Sequence, residues 1–197
     1  MVSLEPSPQL PVVYQIDAAD RICHVNETWG RFAEENEGPA LACTRVLGQS
    51  LWDHLCDSTT MELYRQMVKR AREGHRVKFH YRCDAPDRRR LFRMTITPLG
   101  EGRVEFMSQL LREEARPKVT LLDRQEQNRS EELVRICSWC EKAALPDGRW
   151  VPVEEAVEAM HLLQRERLPG LTHGICEHCK GRMLRQIERT VANRRAG

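Results

Sequence analysis

Two Cys-x-x-Cys pairs stand in the last third of the chain, Cys137/Cys140 in ICSWCEK and Cys176/Cys179 in HGICEHCKGR. Two residues between paired cysteines let both thiolates grip one ion from a tight turn, and two such grips complete a tetrahedron. Zn²⁺ deprotonates its thiols on binding, so an ordinary cysteine pKa is no obstacle at neutral pH. Four thiolates leave no open position for water, so this ligand set points to a structural site, not a catalytic one. Iron, as a cluster or a single ion, takes the same four ligands. His173 lies three residues before Cys176 and is a candidate either to replace one cysteine or to hydrogen-bond to the cluster. The rival chemistry is thiol–disulfide redox sensing, with each pair closing reversibly.

Other residues offer weaker chemistry. Arg182, Arg185 and Arg189 fall near one face of a C-terminal basic helix, a pattern that can grip phosphate. A DNA-contacting transcription regulator is therefore the second functional reading, held back by a net charge of only +2 and no aromatic interleaving. His54 and His80 are the two histidines worth testing as haem ligands, although a structural or exposed histidine explains each more simply. Cys83 sits among Arg82, Arg88, Arg89 and Arg90, and positive neighbours lower a thiol pKa. No histidine-kinase core, cyclase signature, phosphate-binding glycine loop or nucleophile–base motif is evident, so the chain is expected not to be an enzyme.

Elements must position these residues. The 197 residues suffice for one ordinary domain and a small satellite. No stretch approaches the roughly 18 apolar residues of a membrane span, and MVSLEPSPQLP lacks the features of a signal peptide. A reducing cytoplasm, with no membrane association, is the expected setting for the eight cysteines. Residues 1–10 read as a disordered leader. Val12 to Ile16 and Arg21 to Val25 read as strands around a polar turn, and Asn26 as the cap of a helix that Gly38-Pro39 stops. Asp57-Ser58-Thr59-Thr60 starts a second helix with Leu63, Met67 and Ala71 on its inner face. Three strands follow: Arg76 to Cys83, Arg89 to Thr97 with Pro98 as its end, and Gly102 to Leu111.

Beyond them, 113–133 reads as a charged linker that turns helical after Leu121. A knuckle at Ile136 to Cys140 precedes a hairpin through Trp150 and Val151. Pro152 opens a helix with a buried stripe of Val153, Val157, Met160 and Leu163, which Leu168-Pro169-Gly170 breaks. Cys176 to Val191 forms the last helix. The predicted class is α+β: an antiparallel sheet with helices on one face over 11–112, then a four-cysteine module over 134–197 with a treble-clef-like arrangement.

The order of elements, the segment IDAADRICHVNETWGRFAEEN and the segment RCDAPDRRRLFRMTITPLGEGRVEFMSQLLREE resemble the PAS sensor-domain family. The nearest likeness is to small stand-alone bacterial PAS proteins that carry this RCD-x-P segment and a C-terminal ICSWC/HGIC-x-x-C module. SLWDHLCD lacks the Asn-Cys-Arg motif of flavin-photosensor relatives, so a photoactive cysteine is not expected. The resemblance implies a domain that senses a small ligand, or that mediates homodimer and partner contacts. The zinc module would then act through a protein partner, by presenting a surface or by fixing the pose of the linker.

Overall fold

The computed structural model describes residues 10–35, 43–55, 57–123 and 126–192. Residues 1–9 of the expected leader, the Gly38-Pro39 stop and Cys56 lie outside them. The first sheet has the order β2-β1-β5-β4-β3, every neighbouring pair antiparallel. Its strands are β1 (Val12–Ile16), β2 (Ile22–Val25), β3 (Val77–Arg82), β4 (Arg88–Gly100) and β5 (Arg103–Ala115). Helices α1 (Glu27–Glu35), α2 (Cys43–Val46) and α3 (Ser58–Arg72) come between β2 and β3 in sequence. This is the α+β class expected from the sequence.

Local chemistry explains the helix starts. The Asn26 side-chain oxygen accepts from the Trp29 N–H at 3.0 Å and from the Val13 N–H at 3.1 Å, which caps α1 and ties it to β1. The Asp57 carboxylate accepts from the Thr60 N–H at 2.7 Å and caps α3. Leu63, Met67 and Ala71, each one helical turn apart, are buried on the inner face of α3. They share a core with Val77, Phe79, Ile96 and Phe106 from the sheet.

The second sheet has the order β8-β7-β6-β9, built from β6 (Arg129–Cys137), β7 (Ala143–Ala144), β8 (Trp150–Val151) and β9 (Leu168–Gly174). β6 and β9 are parallel, which requires a long crossover; β7, β8 and helix α4 (Val153–Ala159) supply it. Helix α5 (Glu177–Ala192) closes the described chain.

Four expectations are corrected. Leu168-Pro169-Gly170 begins strand β9 and is not a break; β9 is an edge strand, where a proline removes no second ladder. β4 runs through Pro98 to Gly100 for a related reason, since the β3 ladder ends at Ile96 and β5 is the sole strand partner beyond it. The helix after Pro152 ends at Ala159, and His161 takes a left-handed φ of 51°. That turn buries Leu162 and leaves Leu163 exposed. The helical run after Leu121 is instead a 3₁₀ turn at Thr120–Leu122, followed by β6 from Arg129. Val119, Leu121 and Leu122 plug the core under the second sheet, so the segment read as a linker contributes structure to both units.

The two units are packed together. β3 is the edge of the first sheet, and α5 and the turn after β6 cover it. The Arg82 N–H donates to the Trp139 carbonyl at 3.0 Å, and the Gln186 side chain donates to the Lys78 carbonyl. Trp139, Met183 and Ile187 join the core of the first unit.

Candidate metal centre

The second sheet assembles the cysteines. Cys137 is the last residue of β6 and pairs with Gly174 of β9, two residues before Cys176. The chain then turns back on itself: the Cys137 N–H donates to the Lys142 carbonyl at 2.8 Å, and Glu141 takes a left-handed φ of 57°. Cys176 directly precedes α5, and Cys179 lies in its first turn. The arrangement is the knuckle followed by a helix start that the spacing predicted.

The Sγ atoms of Cys137, Cys140, Cys176 and Cys179 all lie within 4.8 Å of one another. Four sulfurs held about 2.3 Å from one ion stand about 3.8 Å apart, from tetrahedral geometry. Cys140 and Cys176 have their sulfurs at 3.8 Å. Cys137, Cys176 and Cys179 are buried, Cys140 is half-buried, and none of the four is in a disulfide. Backbone groups support negative sulfur, as in settled thiolate sites: the Cys176 N–H donates to Cys137 Sγ at 3.4 Å, and the Cys179 N–H to Cys176 Sγ at 3.4 Å. The Cys137 thiol is held well below its usual range by hydrogen bonds from the Cys140 and Cys179 thiols, and the same sharing pushes Cys140 up to about 12 and Cys179 further. The residues fit a metal ion: one donor type, tetrahedral spacing, burial and N–H support.

The remaining sequence candidates fall elsewhere. His173 is exposed on β9, outside the four-sulfur group. His178 is exposed on α5. Arg182 and Arg185 are exposed on α5, while the buried stripe of that helix is Cys179, Met183 and Ile187; for Arg189 the backbone alone is described. His80 is exposed on β3. His54 lines a cavity of about 260 Å³, below the roughly 300–1,000 Å³ of sites for drug-sized ligands and small for a haem. Cys83 is half-buried, with the Arg90 side chain donating to its carbonyl at 2.7 Å.

A buried ion network beside the knuckle was not read from the sequence. The Asp84 side chain is 0% exposed and the Arg116 side chain 3%. Asp84 accepts from Arg82, from Arg116 at 3.2 Å and from the Arg90 N–H at 3.0 Å. Arg116 also donates to the Ala85 carbonyl at 2.7 Å, the Pro86 carbonyl at 3.2 Å and the Glu154 carboxylate at 3.2 Å. RCD-x-P is therefore the socket for an arginine from the segment after β5, which reaches α4 of the second unit. Burial raises the neighbouring Glu141 carboxyl to about 8, with Asp84 adding to the effect and Arg82 opposing it. The available signal was RCDAP itself, an acid flanked by a turn proline, but its partner lies 32 residues on.

No protein-family model matches the chain, and no curated protein matches it. Among solved structures it is similar to the PAS domain of an HTR-like protein from Haloarcula marismortui. That likeness has 21% identity over 54% of this chain and 84% of that one, with a TM-score of 0.35. It is also similar to a sensory box sensor histidine kinase from Vibrio cholerae, at 10% identity over 52% of this chain and 83% of that one, with a TM-score of 0.37. The strand order and the placement of the helices carry the fold class at these overlaps. No described helix is long and apolar enough to cross a membrane.

Proposed function

We propose that the chain is a signalling or regulatory protein in which a PAS-like sensing unit is joined to a structural zinc module, and that it acts through a protein partner and not as an enzyme. The observation that carries this reading is the closed four-sulfur cluster, with Trp139 of its knuckle inserted against the sensing unit. The Trp139 ring centroid lies 5.9 Å from those of both Tyr64 and Phe79. A change in the packing of α3 and β3 reaches the metal turn through one shared aromatic contact. Zinc is favoured over iron because all-thiolate tetrahedral sites in small modules serve it as fold staples.

Elemental analysis of reduced, tag-free protein tests the reading. About one zinc per chain is expected, lost together with the fold of the second unit in Cys137→Ser. Metal-free protein with four reactive thiols would overturn it in favour of the redox switch. Iron with visible absorption would keep the metal centre and replace the structural assignment with electron transfer or gas sensing. The exposed Arg182 and Arg185 favour nucleic acid as the alternative partner, and strongly salt-dependent binding to duplex DNA would promote it.

A further inference from the structure

A cavity of about 260 Å³ lies where α3 and β3 meet the knuckle, and the two units build it jointly: His54, Thr60 and Tyr81 from one, Ser138, Trp139 and His173 from the other. Three of the residues that line it each carry a buried polar atom with no hydrogen-bond partner: His54 Nε2, Thr60 Oγ1 and Trp139 Nε1. Thr60 is 5% exposed and Trp139 2%. Buried polar groups are ordinarily satisfied, so three orphans around one space are a request for a ligand.

The walls restrict its chemistry. An indole N–H only donates, so the occupant must carry an acceptor, which an ammonium group lacks. No lysine or arginine lines the space and Asp57 does, so an anion would meet a carboxylate and no permanent cation. Tyr64, Phe79, Tyr81 and Trp139 supply flat apolar walls, which favour a planar ring that can stack or meet them edge-on. Water is a poor substitute. At about 30 Å³ each, roughly nine waters would fill the space, and those beside Tyr64, Phe79 and Trp139 would face ring surfaces and not the two to four polar partners a water needs.

We propose that this inter-unit cavity binds a small, neutral, planar heteroaromatic molecule bearing a carbonyl or ring-nitrogen acceptor, held by the Trp139 N–H and the Thr60 hydroxyl. The proposal rests on the sensing reading and names the ligand class of that sensor. It also gives the signal a route, because the Trp139 that binds the ligand stands between two metal-binding cysteines.

The test is an NMR titration of full-length, metal-loaded protein, with metal content measured on the same sample. The probes are hypoxanthine and nicotinamide, and the controls are benzoate (an anion) and cyclohexanecarboxamide (an acceptor without a plane). The Trp139 indole N–H signal is assigned with Trp139→Phe. At least one planar probe should shift that signal at millimolar concentration or below and leave the indole signal of Trp150 in place. Thr60→Val, close to isosteric, should weaken binding about three- to tenfold, the worth of one hydrogen bond. No shift with either planar probe, an equal response to a control, or unchanged affinity in Thr60→Val would overturn the proposal. If the sample carries its metal, such a failure leaves the zinc-module reading standing; a metal-free sample fails that reading first.

Discussion

Arg116→Met tests whether the buried ion network holds the two units together. Methionine matches the length of the arginine stem but removes every side-chain donor. The Arg116 backbone N–H still reaches the Asp87 carbonyl at 2.9 Å. The substitution strips the Ala85 and Pro86 carbonyls and Glu154 of a donor, and leaves Asp84, 0% exposed, with Arg82 and the Arg90 N–H. Removing one partner of a buried ion pair costs about 3–5 kcal/mol. Because Asp84 keeps one arginine, the low end applies, about 3 kcal/mol. In a chain of this size that is about 6–12 °C in Tm. In urea it lowers the midpoint by about 1–3 M at unchanged m. Equilibrium unfolding of the metal-loaded protein reads it directly. Arg112→Met is the control: the Arg112 side chain is 71% exposed and pairs with Glu114 at the surface, so its loss should stay under about 0.5 kcal/mol. A cost below about 1 kcal/mol for Arg116→Met would refute the network as a clamp, as would a cost equal to the control.

Three further outcomes follow from particular side chains. Burial pushes the Glu154 carboxyl up, but hydrogen bonding and charge from Arg89, its own N–H and Arg116 prevail and hold it below the usual 4.5. Its contribution is present above about pH 4.5 and fades as pH falls through the lower folded value, so Glu154→Gln should cost under about 1 kcal/mol near neutrality and progressively less as the pH drops below 4.5; a cost that persists in acid would contradict the ion pair. The three tyrosines, Tyr14, Tyr64 and Tyr81, are all raised by burial, Tyr64 to about 12. The folded chain thus keeps protons that the unfolded chain releases, and stability should fall as pH rises past about 10; ultraviolet titration showing half the tyrosinate formed near that pH in folded protein would rule this out. Gly102 has φ +74° and a Cβ there would stand 2.8 Å from the Ala18 Cβ, whereas Gly48 at φ +81° faces open space. Gly48→Ala should cost about 1–2 kcal/mol of backbone strain and Gly102→Ala clearly more, so equal melting losses would count against the contact.

Legibility in the sequence followed the range of the interactions. Asn26 and Asp57 cap helices through bonds three residues long, and those starts were readable. Strand alternation over Arg89 to Thr97 puts Phe92, Met94 and Ile96 on one side, and all three are buried. The cysteines were readable because a chelating pair is itself a local pattern, and the fold only had to bring two pairs together. What failed was non-local. β9 hides behind Pro169-Gly170, and nothing within the segment says that β6 will lie beside it in parallel. Arg116 looked like one charge among many in REEARPK, because its burial is decided by carbonyls and a carboxylate 30 to 38 residues away. Leu162 and Leu163 exchanged roles through one left-handed residue, His161. Helical periodicity cannot foresee such a turn.

The position of Trp139 joins these observations. A residue between two metal-binding cysteines is ordinarily free to face water, and a large indole there has no local reason to exist. In this chain it is 2% exposed, its carbonyl accepts from the Arg82 N–H at 3.0 Å, and its ring meets Tyr64 and Phe79. A metal ion on the four sulfurs would fix the backbone on both sides of Trp139 and hold the ring as a rigid wall. Such rigidity lowers the ordering cost that a ligand in the adjoining cavity must meet. The coupling then runs both ways, as linkage requires: a ligand that prefers the ordered wall must tighten metal binding by the same factor that metal tightens the ligand.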